Sequence, residues 1–161
     1  FKPTTGIQYE AGIKYQPPGT KSLFTAAVFD LTRQNIVTTN PITFLATQSG
    51  EARVKGVELE AKVSVTDRFD LTASYAHLNS EITQSTNPYE VGRPLPMTPR
   101  NQASGWAGYT ILPGLKLGGG VRYVGENYSE VETREPLLIP SVVLYDAMLQ
   151  YDFSVLAQSL K

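Results

Sequence analysis

Hydrophobic and polar residues alternate one by one near the start of the chain, over residues 5–16. The apolar members of this run share one face: Ile7, Tyr9, Ala11, Ile13 and Tyr15. Because successive side chains of a β-strand point to opposite faces, the alternation predicts a strand with one apolar and one polar face. Pro17-Pro18-Gly19-Thr20 comes directly afterwards and predicts a tight turn.

Six further segments repeat this alternation. They centre on residues 23–33, 57–65, 71–75, 102–109, 115–123 and 145–153. The segment 23–33 is the least regular, since Phe24, Ala26 and Val28 fill the side opposite to Ala27 and Phe29. The pattern therefore predicts an all-β fold, an antiparallel up-and-down meander of about seven long strands.

The predicted connections alternate strictly between short and long. Short turns fall at residues 17–20, 66–68 and 113–114, and long connections at about 34–50, 79–101 and 125–140. Transmembrane β-barrels sort their connections in this way, whereas the hairpins of a soluble sandwich have no reason to do so. Strands of about 9 to 12 residues also fit a tilted span of the bilayer.

Aromatic residues of the predicted strands fall at two levels. Those near the short turns are Tyr15, Phe69, Tyr109, Tyr151 and Phe153, and those towards the long connections are Phe29, Tyr123 and Tyr145. Two aromatic girdles are expected at membrane interfaces, because amphipathic rings prefer the headgroup level. The open alternative is that these rings form the core of a β-sandwich.

Composition narrows the function classes. The 161 residues include 14 Lys and Arg against 15 Asp and Glu, so no basic field predicts a nucleic-acid partner. There is no cysteine, which excludes a disulfide framework, a thiolate metal site and a cysteine nucleophile. No apolar run reaches the roughly 18 residues of a membrane-spanning helix.

Catalytic and metal-ligating patterns are missing from the sequence. His77 is the one histidine, and no nucleophile arrangement or ligand spacing surrounds it. The protein is therefore predicted not to be an enzyme and to need no cofactor or metal of its own.

Ligand contact is expected from the long connections. Their aromatic and basic residues are Phe44, Tyr89, Arg93, Arg100, Tyr128 and Arg134. Aromatic and arginine side chains supply contact area and charge to a bulky ligand. An alternative for the segment 92–96 is that its prolines fix the loop geometry.

Several sequence stretches, taken in order, resemble the late barrel strands of TonB-dependent siderophore receptors of the bacterial outer membrane. They are GIQYEAG at 6–12, AVFDLTRQN at 27–35, VKGVELE at 54–60, GRPLPMTPRN at 92–101, LPGLKLGGGVRYVG at 112–125 and YDAMLQYDF at 145–153. The resemblance covers nearly the whole chain and is greatest to receptors for ferric hydroxamate siderophores.

This resemblance implies that residues 1–161 are part of a 22-stranded barrel domain, with the plug and the final strands absent. Iron would arrive as a siderophore chelate, and the TonB energy-coupling protein would act through the missing plug. The polar strand faces would line the lumen, and outer-membrane lipid would cover the other side. An isolated fragment is expected to neither transport nor couple, and to associate through its open sheet edges.

Two other classes stay open at this point. A passive porin or an adhesin-type barrel would share the wall but lack the plug. A soluble β-sandwich binding module would pack its apolar face against a second sheet.

Overall fold

Seven long strands in the part of the chain that the structure describes form one antiparallel sheet, in which each strand pairs with the long strands before and after it in the chain. A computed structural model describes residues 2–40, 42–131 and 133–153. The long strands are β1 Thr5–Tyr15, β2 Leu23–Thr39, β3 Ala46–Thr66, β4 Phe69–Gln84, β5 Asn101–Leu112, β6 Leu115–Val124 and β9 Val142–Tyr151, and a small hairpin is made by β7 Asn127–Tyr128 and β8 Leu138–Ile139. No helix in these ranges is long and apolar enough to cross a membrane.

Short connections join the strands at one end, as predicted. Pro113 and Gly114 alone separate β5 from β6, and Gly114 has a φ of 83°. A proline followed by a residue with positive φ fits a type II turn, in which glycine adopts the left-handed conformation without a steric penalty. The predicted all-β meander of about seven long strands is confirmed.

The first predicted long connection, at 34–50, is wrong. Most of it is strand, because β2 continues to Thr39 and β3 begins at Ala46. The pairing of β2 with β3 shifts register between Arg33 and Ile36 and again before Thr38, and Asn35 has a φ of 59°. A bulge inserts an extra residue into one strand, so it interrupts the period-two alternation from which a strand is recognised. The second predicted connection also begins late, since β4 runs to Gln84.

Pairing across the sheet places apolar residues from all seven strands on one face. This apolar band consists of Ile7, Tyr9, Ala11, Ile13, Tyr15, Phe24, Ala26, Val28, Val57, Leu59, Ala61, Val63, Leu71, Ala73, Tyr75, Ala103, Gly105, Ala107, Tyr109, Leu117, Gly119, Val121, Tyr123, Val143, Tyr145, Ala147, Leu149 and Tyr151. Ile13 is 71% exposed and Leu149 is 70% exposed. Water would not stabilise such a surface, so the band requires an apolar environment outside the sheet.

Aromatic residues mark the short-turn edge of the apolar band. The rings of Phe69 and Tyr109 meet edge to face at 6.3 Å, and those of Tyr151 and Phe153 at 4.8 Å. The prediction that Phe29 belongs to the opposite girdle is wrong. Phe29 pairs with Glu10 and Gly56, which puts it on the polar face of the sheet. A strand with apolar residues on both sides leaves its outward face undecided, and the register with β1 decides it.

Charged residues on the opposite, polar face form ion pairs between strands, one reaching across β5 from β6 to β4 and one joining the adjacent strands β6 and β9. Lys116 lies 3.4 Å from Asp70, and Arg122 lies 3.0 Å from Asp146. Solvent-exposed pairs of this kind contribute little to stability. Their arrangement nevertheless agrees with the predicted polar lining.

Beyond the apolar band, β2, β3 and β4 project past β5. His77 is opposite Asn101 at the start of β5, and β4 continues to Gln84, roughly 23 Å further at 3.3 Å per residue. The connection 85–100 runs back beside this projection, where Ile82 donates its N–H to Arg93 and accepts one from Gly92. These bonds cover a strand edge that would otherwise be unpaired.

Candidate ligand-binding loops

The predicted ligand-contacting residues all lie at the end of the sheet opposite to the short turns. Phe44 lies in the connection 40–45 between β2 and β3, while Tyr89 and Arg93 lie in the connection 85–100. Tyr128 and Arg134 lie in the connection 125–141, which contains the β7–β8 hairpin. Three connections that are far apart in sequence therefore share one end of the wall.

Arg93 joins two of these connections through its guanidinium group. Its Nη1 donates to the carbonyl of Val131 at 3.2 Å and to the carbonyl of Thr133. Its Nη2 donates to the carbonyl of Arg134 at 3.0 Å. Arginine can satisfy several acceptors at once because its planar group presents five N–H donors. Two of the predicted residues are thus in contact, because the side chain of Arg93 is bonded to the main chain of Arg134.

The same two connections also meet through a main-chain bond and a buried valine. Met97 donates its N–H to the carbonyl of Tyr128 at 2.8 Å. Val131 is 1% exposed and lines a cavity of about 300 Å³ together with Ile82 and Leu95. Burying a valine away from water favours folding by about 1.5–3 kcal/mol. The connection 125–141 is therefore fastened to β4 and to the connection 85–100.

A second cavity, of about 450 Å³, lies between the same two connections and the ends of β5 and β6. Arg100 and Tyr128 line it, together with Tyr123 at the edge of the apolar band. Tyr89 and Arg134 are exposed, and the main-chain N–H of Tyr89 donates to the side chain of Asn87 at 3.1 Å. These side chains present aromatic and positively charged groups to solvent.

Phe44 occupies the tip of the β2–β3 hairpin. It is 81% exposed, its neighbour Ile42 is 84% exposed, and its φ is 53°. A bulky residue with positive φ is uncommon and signals a turn or strain. Asn40 holds the turn, because its side-chain oxygen accepts N–H bonds from Ile42 and Thr43 at 2.9 and 3.0 Å. An apolar tip is thus presented outwards on a defined turn.

On the outward face of β2 and β3, beside Tyr9 of the apolar band, Asp30 and Arg53 form an ion pair with two hydrogen bonds. The Nε of Arg53 donates to Asp30 at 2.7 Å, and Nη2 donates to the other carboxylate oxygen. The pair marks the polar end of the outward face.

Sequence reasoning missed Val131 and Asn101. Val131 is an isolated apolar residue in a polar connection, which gives no periodic signal. Asn101 accepts a bond from the Tyr75 hydroxyl at 2.9 Å, and His77 Nδ1 lies 2.8 Å from the same oxygen. His77 therefore has a structural partner. Within the described ranges, no group of three or more His, Asp or Glu side chains could hold a metal ion.

Comparison with known proteins agrees with this architecture. A family model for the TonB dependent receptor-like beta-barrel matches residues 1–160. The chain is 40% identical over 159 residues to the ferrioxamine B receptor of Salmonella typhimurium, covering 96% of this chain and 22% of that receptor. It is 35% identical over 162 residues to the ferrioxamine receptor of Yersinia enterocolitica, covering 100% of this chain and 22% of that receptor.

A solved structure shows the same likeness in three dimensions. The crystal structure of the siderophore receptor PiuA from Acinetobacter baumannii matches with a TM-score of 0.78 and 29% identity, over 91% of this chain and 22% of that one. The chain spans about a fifth of the length of these relatives. Seven antiparallel strands, their shared apolar face and a family match over nearly every residue lead to one conclusion: the chain belongs to the TonB-dependent receptors of the bacterial outer membrane and is part of their β-barrel.

Proposed function

We propose that the protein is an outer-membrane receptor that imports ferric siderophores, to which this chain contributes barrel wall and ligand-binding loops. The observation that supports this most is the gathering of three connections at one end of a wall whose outward face is apolar. In such a wall, outer-membrane lipid covers the apolar band and the long connections face the outside of the cell.

The substrate we propose is a ferric hydroxamate chelate. Two relatives are named for ferrioxamine, which is a hydroxamate siderophore. The chelate brings its own ligands, so the protein need not bind iron directly or hold a resident cofactor. Contact would come from the exposed rings of Phe44 and Tyr89, the half-buried ring of Tyr128 and the exposed positive charge of Arg134. Arg93, another of the predicted residues, has its guanidinium group engaged by the neighbouring connection.

Transport would be driven by the TonB protein acting through a plug domain, without enzymatic chemistry. The whole receptor would be a 22-stranded barrel in which β1 and β9 pair with strands outside residues 1–161. Both strands lie at the ends of this sheet, and their unpaired edges would make an isolated fragment self-associate.

Uptake of radioactive iron by the full-length receptor tests this function. The receptor would be expressed in a bacterial strain that lacks its own hydroxamate receptors, with ferrioxamine B as the iron source. We expect uptake that disappears when the tonB gene is deleted. A variant with residues 126–139 replaced by a short glycine-serine linker should lose uptake, whereas lengthening the turn at 113–114 by two glycines should not.

Two results would count against the proposal. Uptake that persists without TonB would identify a passive barrel. No uptake or binding of any ferric siderophore, with the receptor present in the outer membrane, would remove the receptor function altogether.

A further inference from the structure

We infer that Arg93 is a positioning residue, which fastens the connections 85–100 and 125–141 together before any ligand arrives. This inference rests on the proposed siderophore-binding function and deepens it. It assigns to Arg93 a role other than direct contact with the chelate, because its donors are directed at main-chain carbonyls.

The guanidinium group spans a stretch of main chain that a smaller cation would not cover. It bonds to the carbonyls of Val131, Thr133 and Arg134. A lysine ammonium is a compact point charge, so it would satisfy fewer of these acceptors even though it keeps the positive charge. The bonding pattern therefore depends on the shape of the group as well as on its charge.

The main chain of Arg93 is itself hydrogen-bonded to β4 of the barrel wall. Its carbonyl accepts the N–H of Ile82 at 2.8 Å, and its own N–H donates to the carbonyl of Glu90 at 3.0 Å. Gly92, with a φ of 82°, donates to the carbonyl of Ile82 at 2.9 Å. A substitution at Arg93 would leave these main-chain bonds in place and remove only the side-chain link.

Val131 adds a buried apolar contact between the connection 125–141 and β4 at the same place. It is almost fully buried and shares a cavity with Ile82, the residue to which the Arg93 main chain is bonded. The guanidinium thus holds the main chain on both sides of position 132, while the valine side chain is anchored against the wall. Tyr128 and Arg134, two of the proposed contacts, lie on either side of this anchor.

The consequence for binding is pre-organisation. If the two connections were free to separate, the binding-competent arrangement would be populated only part of the time, and the apparent affinity would fall by that fraction. Hydrogen bonds within the protein that hold the two connections together prevent this loss of affinity without contacting the ligand.

The test compares Arg93→Lys with Arg93→Met in the full-length receptor, using ferrioxamine B as the ligand. If Arg93 positions the connections, both variants should bind about tenfold more weakly, because lysine cannot reproduce the three bonds. If Arg93 contacts the ligand through its charge, Arg93→Lys should bind within about twofold of wild type and only Arg93→Met should be weakened. The matched control is Arg68→Lys, in the short turn at the opposite end of the wall, which should bind as wild type does.

Hydrogen–deuterium exchange without ligand gives an independent measurement. Amides of residues 127–131 and 133–139 should exchange faster in both Arg93 variants than in wild type, while those of residues 57–65 in the barrel wall should be unchanged. The unchanged wall also verifies that the variants are folded. Wild-type affinity in Arg93→Lys, or unchanged exchange in the connection 125–141, would overturn the inference. If the wild-type receptor binds no ferric siderophore, the proposed function fails, and the exchange measurement still decides whether Arg93 fastens the two connections.

Discussion

Gly118 and Gly119 are neighbours on β6 with side-chain positions on opposite faces of the wall. A Cβ atom at Gly118 would lie 2.6 Å from Cζ2 of Trp106 and 3.1 Å from the terminal methyl carbon of Met148. A Cβ atom at Gly119 would meet only the carbonyl oxygen of Asp146, at an ordinary 3.8 Å. The indole of Trp106 lies over the strand on the polar face, so it fills the space that a side chain at Gly118 would need.

Gly118→Ala and Gly119→Ala should therefore have effects of opposite sign on the free energy of unfolding. Replacing glycine by alanine within a strand is favourable by roughly 0.5–1 kcal/mol, because glycine loses more backbone freedom on folding. At Gly119 nothing opposes this gain. At Gly118 the indole must move, and overpacking costs about 1–3 kcal/mol, which leaves a net destabilisation of up to about 2.5 kcal/mol.

Urea unfolding of the full-length receptor in lipid vesicles, followed by tryptophan fluorescence and by gel mobility, measures both changes. Adding Trp106→Ala completes a double-mutant cycle, in which the cost of Gly118→Ala should disappear and give a coupling energy of about 1–3 kcal/mol. Gel mobility serves as the common measurement, since the cycle removes a tryptophan. Equal effects of the two alanines, or a Gly118→Ala cost that survives in the Trp106→Ala background, would refute this account of the packing.

Two further predictions concern the two faces of the wall and the buried Val131. Ala61→Arg in the middle of the apolar band should destabilise the receptor in bilayers by about 2–4 kcal/mol, whereas Glu60→Arg on the polar face should change stability by less than about 1 kcal/mol, both measured by urea unfolding. Val131→Ala should accelerate amide exchange in residues 133–139 without changing exchange in β3, and a uniform change across both would contradict the local anchor.

The strands could be predicted wherever one face is apolar and the other polar. In β1 and β3 the alternation predicted both the element and its outward face, which cross-strand pairing confirms. In β2 the element was predicted, but Phe24 and Phe29 compete for the outward face. Only pairing with β1 and β3 settles that Phe24 faces outwards and Phe29 lies against Gly56. The outer ends of β2 and β3 were missed, because bulges there break the period.

The sequence predicted at which end of the sheet the candidate site lies, but it did not predict which of its residues contact one another. Residue type and connection length predicted that aromatic and basic residues would lie at one end, and the structure places them there. Neither feature could predict that the guanidinium of Arg93 is occupied by the neighbouring connection, or that Val131 is buried beneath it. Those facts depend on contacts between residues about 40 positions apart, for which a single sequence contains no periodic signal.

The class of the fold, the apolar and polar faces of the wall and the end at which the connections gather could all be predicted from the order of residues alone. This was possible because strand alternation and turn chemistry are local properties of a few adjacent residues. The strand register, the inward position of Phe29, the length by which β2–β4 project and the hydrogen bonding between the two long connections became known only from the three-dimensional fold. These depend on how distant segments pair and pack, since a one-residue change of register would exchange the two faces of a strand.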